Sequence, residues 1–162
     1  MMIYLGLDPG ATGAIAALDE QGNCLWLRDL TLPFRPMMLS VRDAAWYRGT
    51  YDYVLAAVEH QHAFPGMAAR STWALAEAYT YCRLLLEALA ISYQTVTAGK
   101  WQKRVCGSLP KDRKQRKLAV AEFARRRWPE AELTGPRGKM LDGRSDALCL
   151  ALYARDVLGG DG

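Results

Sequence analysis

A chain of 162 residues, 51% of them hydrophobic, fits one compact domain with a sizeable core and excludes a disordered tract. No apolar run approaches a membrane span and no basic-then-apolar leader opens the chain, so neither a secreted nor a membrane protein is expected. The formal net charge of +4 is concentrated: from Lys111 to Arg127 eight basic residues accompany two acidic ones, so that segment alone carries +6 and favours a polyanionic partner over a merely solvated helical face.

Met2 to Leu7 is short, apolar and β-rich, and stops at Asp8-Pro9-Gly10, which predicts a buried strand ending in a turn. Gly13 to Leu18 and Cys24 to Leu30 predict two more strands around the turn 19–23, completing an antiparallel meander. Pro33 and Pro36 interrupt the chain, and Met37 to Tyr47 predicts a helix. Tyr51 to Glu59 is an apolar run ending in a carboxylate, suited to a central strand. A loop follows from His60 to Gly66, then a long helix over Ala68 to Leu89 with Trp73, Ala76, Tyr79, Leu84 and Leu86 among its bulkier positions. Ile91 to Val96 predicts a strand, Ala98 to Val105 a short basic helix, Pro110 to Trp128 a further helix and Ser145 to Leu158 the last one, ended by Gly159-Gly160. The order is that of an α/β domain over residues 1–158, with a flexible tail at 159–162. Cys24, Cys82, Cys106 and Cys149 form no C-x-x-C pair, so buried free thiols in a reducing compartment are expected, not a disulfide framework or a zinc site.

Four acids stand where chemistry can use them. Asp8 ends the first strand and Glu59 ends the fourth, and each follows an apolar run. Asp142 and Asp146 flank the start of the last helix, sharing a face if the helix includes both; alternatively Asp142 lies in the loop leading in. Each acid alone has a plain alternative: Asp146 as a favourable charge at a helix start, Asp8 as a turn residue. Together they differ, because a carboxylate at the end of a buried run is costly unless something positive binds it. Oxygen ligands with few histidines select Mg²⁺ or Mn²⁺ over zinc, and no organic cofactor is indicated. Four carboxylates around two such ions are a device for phosphodiester hydrolysis.

Gly6-Leu7-Asp8-Pro9-Gly10-Ala11-Thr12-Gly13 resembles the opening strand and turn of RuvC-type Holliday-junction resolvases, which have an RNase H-like fold. Val58-Glu59-His60-Gln61 is similar to the second acidic motif of that family, and the segment from Lys139 to Leu148 to its C-terminal acidic helix. Thr97 to Lys103, with Trp101 and Lys103, resembles a segment of the bacteriophage branch. The resemblance spans about Ile3 to Tyr153. It implies a mixed five-stranded sheet flanked by helices, and a crossover junction endodeoxyribonuclease that nicks branched DNA symmetrically as a homodimer. It also implies a cytoplasmic location in a bacterial cell, with the chain bacterial or phage-encoded. Asp8 would bridge two metals, with Glu59 and Asp146 as further ligands and Asp142 as the fourth acid. One departure stands out: where the bacterial enzymes carry an acid or histidine three residues before the last aspartate, this chain has Gly143, and its acid comes one residue earlier.

The resemblance makes the long helix after Glu59 the dimer element, with Trp73, Leu84 and Leu86 as candidates; core packing is the alternative for each. Lys100, Lys103, Arg104, Lys111, Arg113, Lys114, Arg116 and Lys117 are the candidate phosphate contacts, which position DNA without reading its sequence. Phe64 stands where the family places an aromatic wedge at the junction centre, with a core role as its alternative. His60 and His62 point the same way if their loop is extended, facing DNA or serving structure. Three other functions share features with this pattern: a phosphotransferase of the actin and sugar-kinase type, whose phosphate loop resembles Asp8 to Gly13; another RNase H-like or flap nuclease; and a binding module without catalysis.

Overall fold

The computed structural model describes residues 2–10, 12–30 and 53–160. The helix expected over Met37–Tyr47 lies outside them, and the expected tail is described only as far as Gly160. Strands β1 (Met2–Asp8), β2 (Ala14–Leu18) and β3 (Cys24–Asp29) form the expected antiparallel meander, with Tyr4 opposite Leu18 and Asp8 opposite Ala14. Strand β4 (Tyr53–Glu59) pairs with β1 in parallel, and β5 (Ser92–Val96) pairs with β4 in parallel. The sheet order is β3-β2-β1-β4-β5. Parallel neighbours require a crossover, which α1 (Ala69–Ala88) supplies between β4 and β5.

Both central strands are covered on two faces, which explains their unbroken apolar character. Alternation sorts their side chains. Ile3, Leu5 and Leu7 of β1, with Val54, Ala56 and Val58 of β4, share one core cluster with Cys82, Leu85 and Leu86 of α1. Tyr4 and Ala57 belong to the opposite layer, with Trp101 of α2 (Ala98–Cys106), Val120 and Ala124 of α3 (Arg113–Arg127), and the buried run of α4 (Asp142–Tyr153). A side chain such as Leu5 or Leu148, buried completely, contributes about 1.5–3 kcal/mol.

Two glycines set how closely α4 approaches the sheet. A Cβ on Gly6 would collide with the Ala147 carbonyl and the Ala151 amide, so the helix rests directly on β1. A Cβ on Gly143 would collide with the Thr12 carbonyl, so the start of α4 is seated on the turn after β1.

Two helix starts differ from expectation. Helix α3 begins at Arg113 and not at Pro110, because the Asp112 carboxylate accepts the Gln115 amide at 2.9 Å and caps the helix there. Helix α4 begins at Asp142, not Ser145. Its first turn is held by Arg144, whose guanidinium donates to both carboxylate oxygens of Asp29 (2.7 and 3.0 Å) and to the Glu132 carbonyl (2.6 Å). Its helical run ends at Leu158 as expected, but the last turn changes type: α4 stops at Tyr153 and continues as a π-helical turn, Ala154–Leu158. Among the described residues no helix is long and apolar enough to cross a membrane, and all four cysteines are free thiols.

Candidate functional site

The parallel ladder brings the first two acids together. Leu7 pairs with Val58, so the next residues, Asp8 and Glu59, end adjacent strands spaced about 4.8 Å apart. Alternation turns both toward the layer that contains α4. Asp142 and Asp146 lie one turn apart at the start of that helix, stacked on one face. Residues far apart in the chain therefore converge at the carboxyl ends of β1 and β4, where open α/β sheets gather ligands.

The electrostatics express that convergence. Asp8 is 8% exposed. Burial pushes its carboxyl up to about 7, and the charges of Glu59 and Asp142 add to the effect while the Gly10 amide and Lys117 oppose it. Asp146 is held well above the ordinary carboxylate range, chiefly by burial and then by Asp8, Glu59 and Asp142. Glu59 is raised by burial, with opposing hydrogen bonds from Trp101 and Gln61. One unit of displacement corresponds to about 1.4 kcal/mol between the two protonation states, so these acids are held at an energetic cost.

Each carboxylate has identifiable neighbours. The Trp101 indole N–H donates to Glu59 Oε2 at 2.8 Å, and the Gln61 amide donates to Oε1 at 3.2 Å. The Gly10 amide donates to Asp8 Oδ1 at 3.2 Å, closing the turn after β1. Lys117 of α3 donates to Asp142 Oδ2 at 2.8 Å, and its positive charge is felt by Asp8, Glu59 and Asp146 as well. Gly143 faces the Thr12 carbonyl, which leaves no room for a side chain there; the acid one residue earlier, Asp142, is the one beside the cluster.

A hard divalent cation suits this donor set: all-oxygen, acidic, and buried enough that the ionised forms need compensation. Among the described residues no group of three or more His, Cys, Asp and Glu side chains stands so that it could already hold an ion.

The other candidates fall into separate groups. Lys100, Lys103 and Arg104 are exposed on α2, Lys111 on the connection to α3, and Arg113 and Lys114 on the first turn of α3. Arg116 is committed to its own backbone, donating to the carbonyls of Pro110 (3.2 Å) and Lys111 (2.6 Å), and so braces the loop between the two helices. Lys117 stands inside the acidic site, joining it to the basic helix. Phe64 is 53% exposed on the loop after β4. His60 and His62 stack with ring centroids 6.2 Å apart, and His60 meets the Tyr79 ring edge-on. On α1, Leu86 is wholly buried whereas Trp73 and Leu84 are 74% and 58% exposed.

Sequence reasoning assigned no role to Trp101, Gln61 or Arg144. For Trp101 the signal was its place in the Thr97–Lys103 motif; the burial that obliges its N–H to find a partner came only with the structure. For Arg144 none did, since Asp29 is 115 residues away in the chain.

A mixed sheet in this order, with acids at the ends of two adjacent parallel strands and on a helix laid across them, is an RNase H-like α/β fold. No protein-family model and no curated protein sequence matches the chain. Its fold is similar to that of T. thermophilus RuvC in complex with a Holliday junction substrate, with a TM-score of 0.63 and 17% identity over 96% of this chain and 97% of that one. It is similar also to a second Thermus thermophilus RuvC structure, with a TM-score of 0.56 and 18% identity over 96% of each chain. In particular, then, the chain has the RuvC-type resolvase fold.

Proposed function

We propose that the chain is a divalent-metal-dependent endodeoxyribonuclease, acting in the cytoplasm as a homodimer that nicks four-way or otherwise branched DNA on symmetry-related strands. The observation that carries this reading is the convergence of Asp8, Glu59, Asp142 and Asp146, with Lys117 tying them to a basic helix. The four acids would hold Mg²⁺ or Mn²⁺, two ions per site, which when bound supply an activated water and neutralise charge on the scissile phosphate. Trp101 and Gln61 fix both oxygens of Glu59, so that carboxylate needs no reorganisation on binding. Lys117, paired with Asp142, would meet a phosphate that approaches the acids. Lys100, Lys103, Arg104, Lys111, Arg113 and Lys114 give the DNA backbone its positive track. Phe64, exposed on the loop after β4, would stack at a junction centre. The exposed Trp73 and Leu84 of α1, around a hollow of about 340 Å³, supply the apolar face for a second copy.

The test is a cleavage assay on synthetic four-way, three-way, flap and RNA–DNA hybrid substrates, with and without Mg²⁺ or Mn²⁺, beside Asp8→Asn. Metal-dependent paired nicks on the four-way junction, absent in the variant, are expected. Preferred cutting of flaps or hybrids would assign another nuclease of this fold, and tight junction binding without nicking would leave a binding module.

A further inference from the structure

A hollow of about 570 Å³ lies between α2 and the start of α3, within the range of about 300–1,000 Å³ of clefts that take small ligands. Lys103, Lys111 and Arg116 border it, and no acidic side chain lines it. Leu109 and Pro110 give it an apolar wall. Arg116 is held by the carbonyls of Pro110 and Lys111, which fixes its guanidinium. Lys103 and Lys111 form no ion pair with a described residue, so both charges remain for an anion. Two glycines keep the hollow open. A Cβ built on Gly99 or Gly107 meets nothing within 4 Å, and the φ of +77° at Gly107 disfavours any side chain there.

Gln102 lines the same hollow. It is half-buried, and its carboxamide bonds no described residue. A carboxamide sets N–H donors beside a carbonyl acceptor, the pattern that pairs bidentately with the edge of a base. Position adds a second reason. Gln102 follows Trp101, whose indole holds Glu59, and Arg116 precedes Lys117, which holds Asp142. The hollow is therefore built from chain neighbours of two residues that touch the acids.

We propose that this hollow reads one base of a branched DNA lying across the acids, with Gln102 as the specificity-determining residue and adenine as the preferred base. The Gln102 amide donates to adenine N7, and its carbonyl accepts from adenine N6–H. On the major-groove edge adenine alone presents a donor beside an acceptor. Lys103 and Lys111 meet the flanking phosphates, and Leu109 and Pro110 pack against the base. A base at a branch has lost part of its stacking, which lowers the cost of bringing its edge into the hollow. Phosphate contacts carry no sequence information, so this site supplies a preference that the basic track cannot. The proposal rests on the branched-DNA reading above.

The test is competition binding without metal, in the Asp8→Asn background, to four-way junctions that differ in one base pair at each position beside the exchange point in turn. Adenine at one position should bind at least about fivefold tighter than the other three bases there. Gln102→Ala should abolish that difference. Gly99→Phe should abolish it too, by filling the hollow from a position with open space. Equal affinity for the four bases at every position, or preference for another base, overturns the proposal. So does an adenine preference that survives Gln102→Ala or, if that variant does not fold, Gly99→Phe. Junctions bound without base preference leave the nuclease reading intact, whereas a failure to bind junctions at all overturns both. A protein that selects adenine yet never cuts with Mg²⁺ or Mn²⁺ keeps this site and loses the nuclease.

Discussion

The Trp101 indole N–H and the Glu59 carboxylate meet at 2.8 Å across 42 residues of chain, joining a helix after β5 to the end of β4. A hydrogen bond to a charged acceptor in a buried setting contributes about 1.5–3 kcal/mol. Trp101→Phe keeps most of the ring and removes the donor. We expect cutting to fall roughly ten- to hundredfold and the metal concentration for half-maximal rate to rise, with junction affinity unchanged. A metal titration of the cleavage rate checks this; identical curves for both proteins would mean that Trp101 only fills space.

Asp8→Asn and Asp146→Asn should each abolish cutting while junction binding persists, because a metal ligand is lost and repulsion of phosphate falls. The same changes remove buried charges, so both variants should melt higher than the wild type at pH 8 without metal. Gel-shift, cleavage and melting measurements on one preparation test all three effects. Wild-type cutting by Asp146→Asn would remove that residue from the site.

The raised acids make metal-free stability depend on pH. Asp8 binds its proton more tightly when folded, so its stabilising contribution is complete below its ordinary value of 3.8 and disappears as pH rises through about 7. Glu59 and Asp146 shift in the same direction. The metal-free protein should therefore lose up to about 4 kcal/mol from Asp8 between pH 4 and pH 8. Mg²⁺ or Mn²⁺ should restore stability, and more at pH 8 than at pH 6, since cation and proton compete for the same oxygens. Melting curves across pH, with and without metal, give the sign directly; a metal-free protein that stabilises as pH rises would contradict it.

Lys114 and Lys117 are three residues apart on α3, yet they should behave differently. Lys114→Gln should weaken junction binding and reduce the salt slope by about one. Lys117→Gln should do so too, but should also destabilise the metal-free fold at pH 8, because Asp142 and its neighbours lose a compensating charge. Salt titrations of binding, paired with melts, separate the two roles.

Trp73→Glu should leave the fold intact, given how exposed the side chain is, and convert the proposed dimer to a monomer. Sedimentation measures the state; a monomeric wild type would move the interface elsewhere or remove it.

Much of this protein was fixed locally. Apolar runs ending at Asp8 and Glu59 announced two buried strands with acids at their ends, because a strand covered on both faces has no reason to alternate. The turn 19–23 and the runs around it implied the meander, and β5 and α2 follow, to within one residue at an end, from β-branched and basic patterns. What chain order could not reveal was adjacency. Whether Asp142 belonged to the helix depended on Gly143 touching the Thr12 carbonyl and on Arg144 reaching Asp29, both long-range contacts. Lys117 looked like one cation among many in a basic segment, and only the packing of α3 against α4 put it beside Asp142. Likewise Leu86 and Leu84 are near neighbours in sequence, and it was the crossover geometry that buried one and exposed the other. Sequence determines which residues are costly to bury and which elements they form; the tertiary structure decides which of those costs are met by the same neighbour.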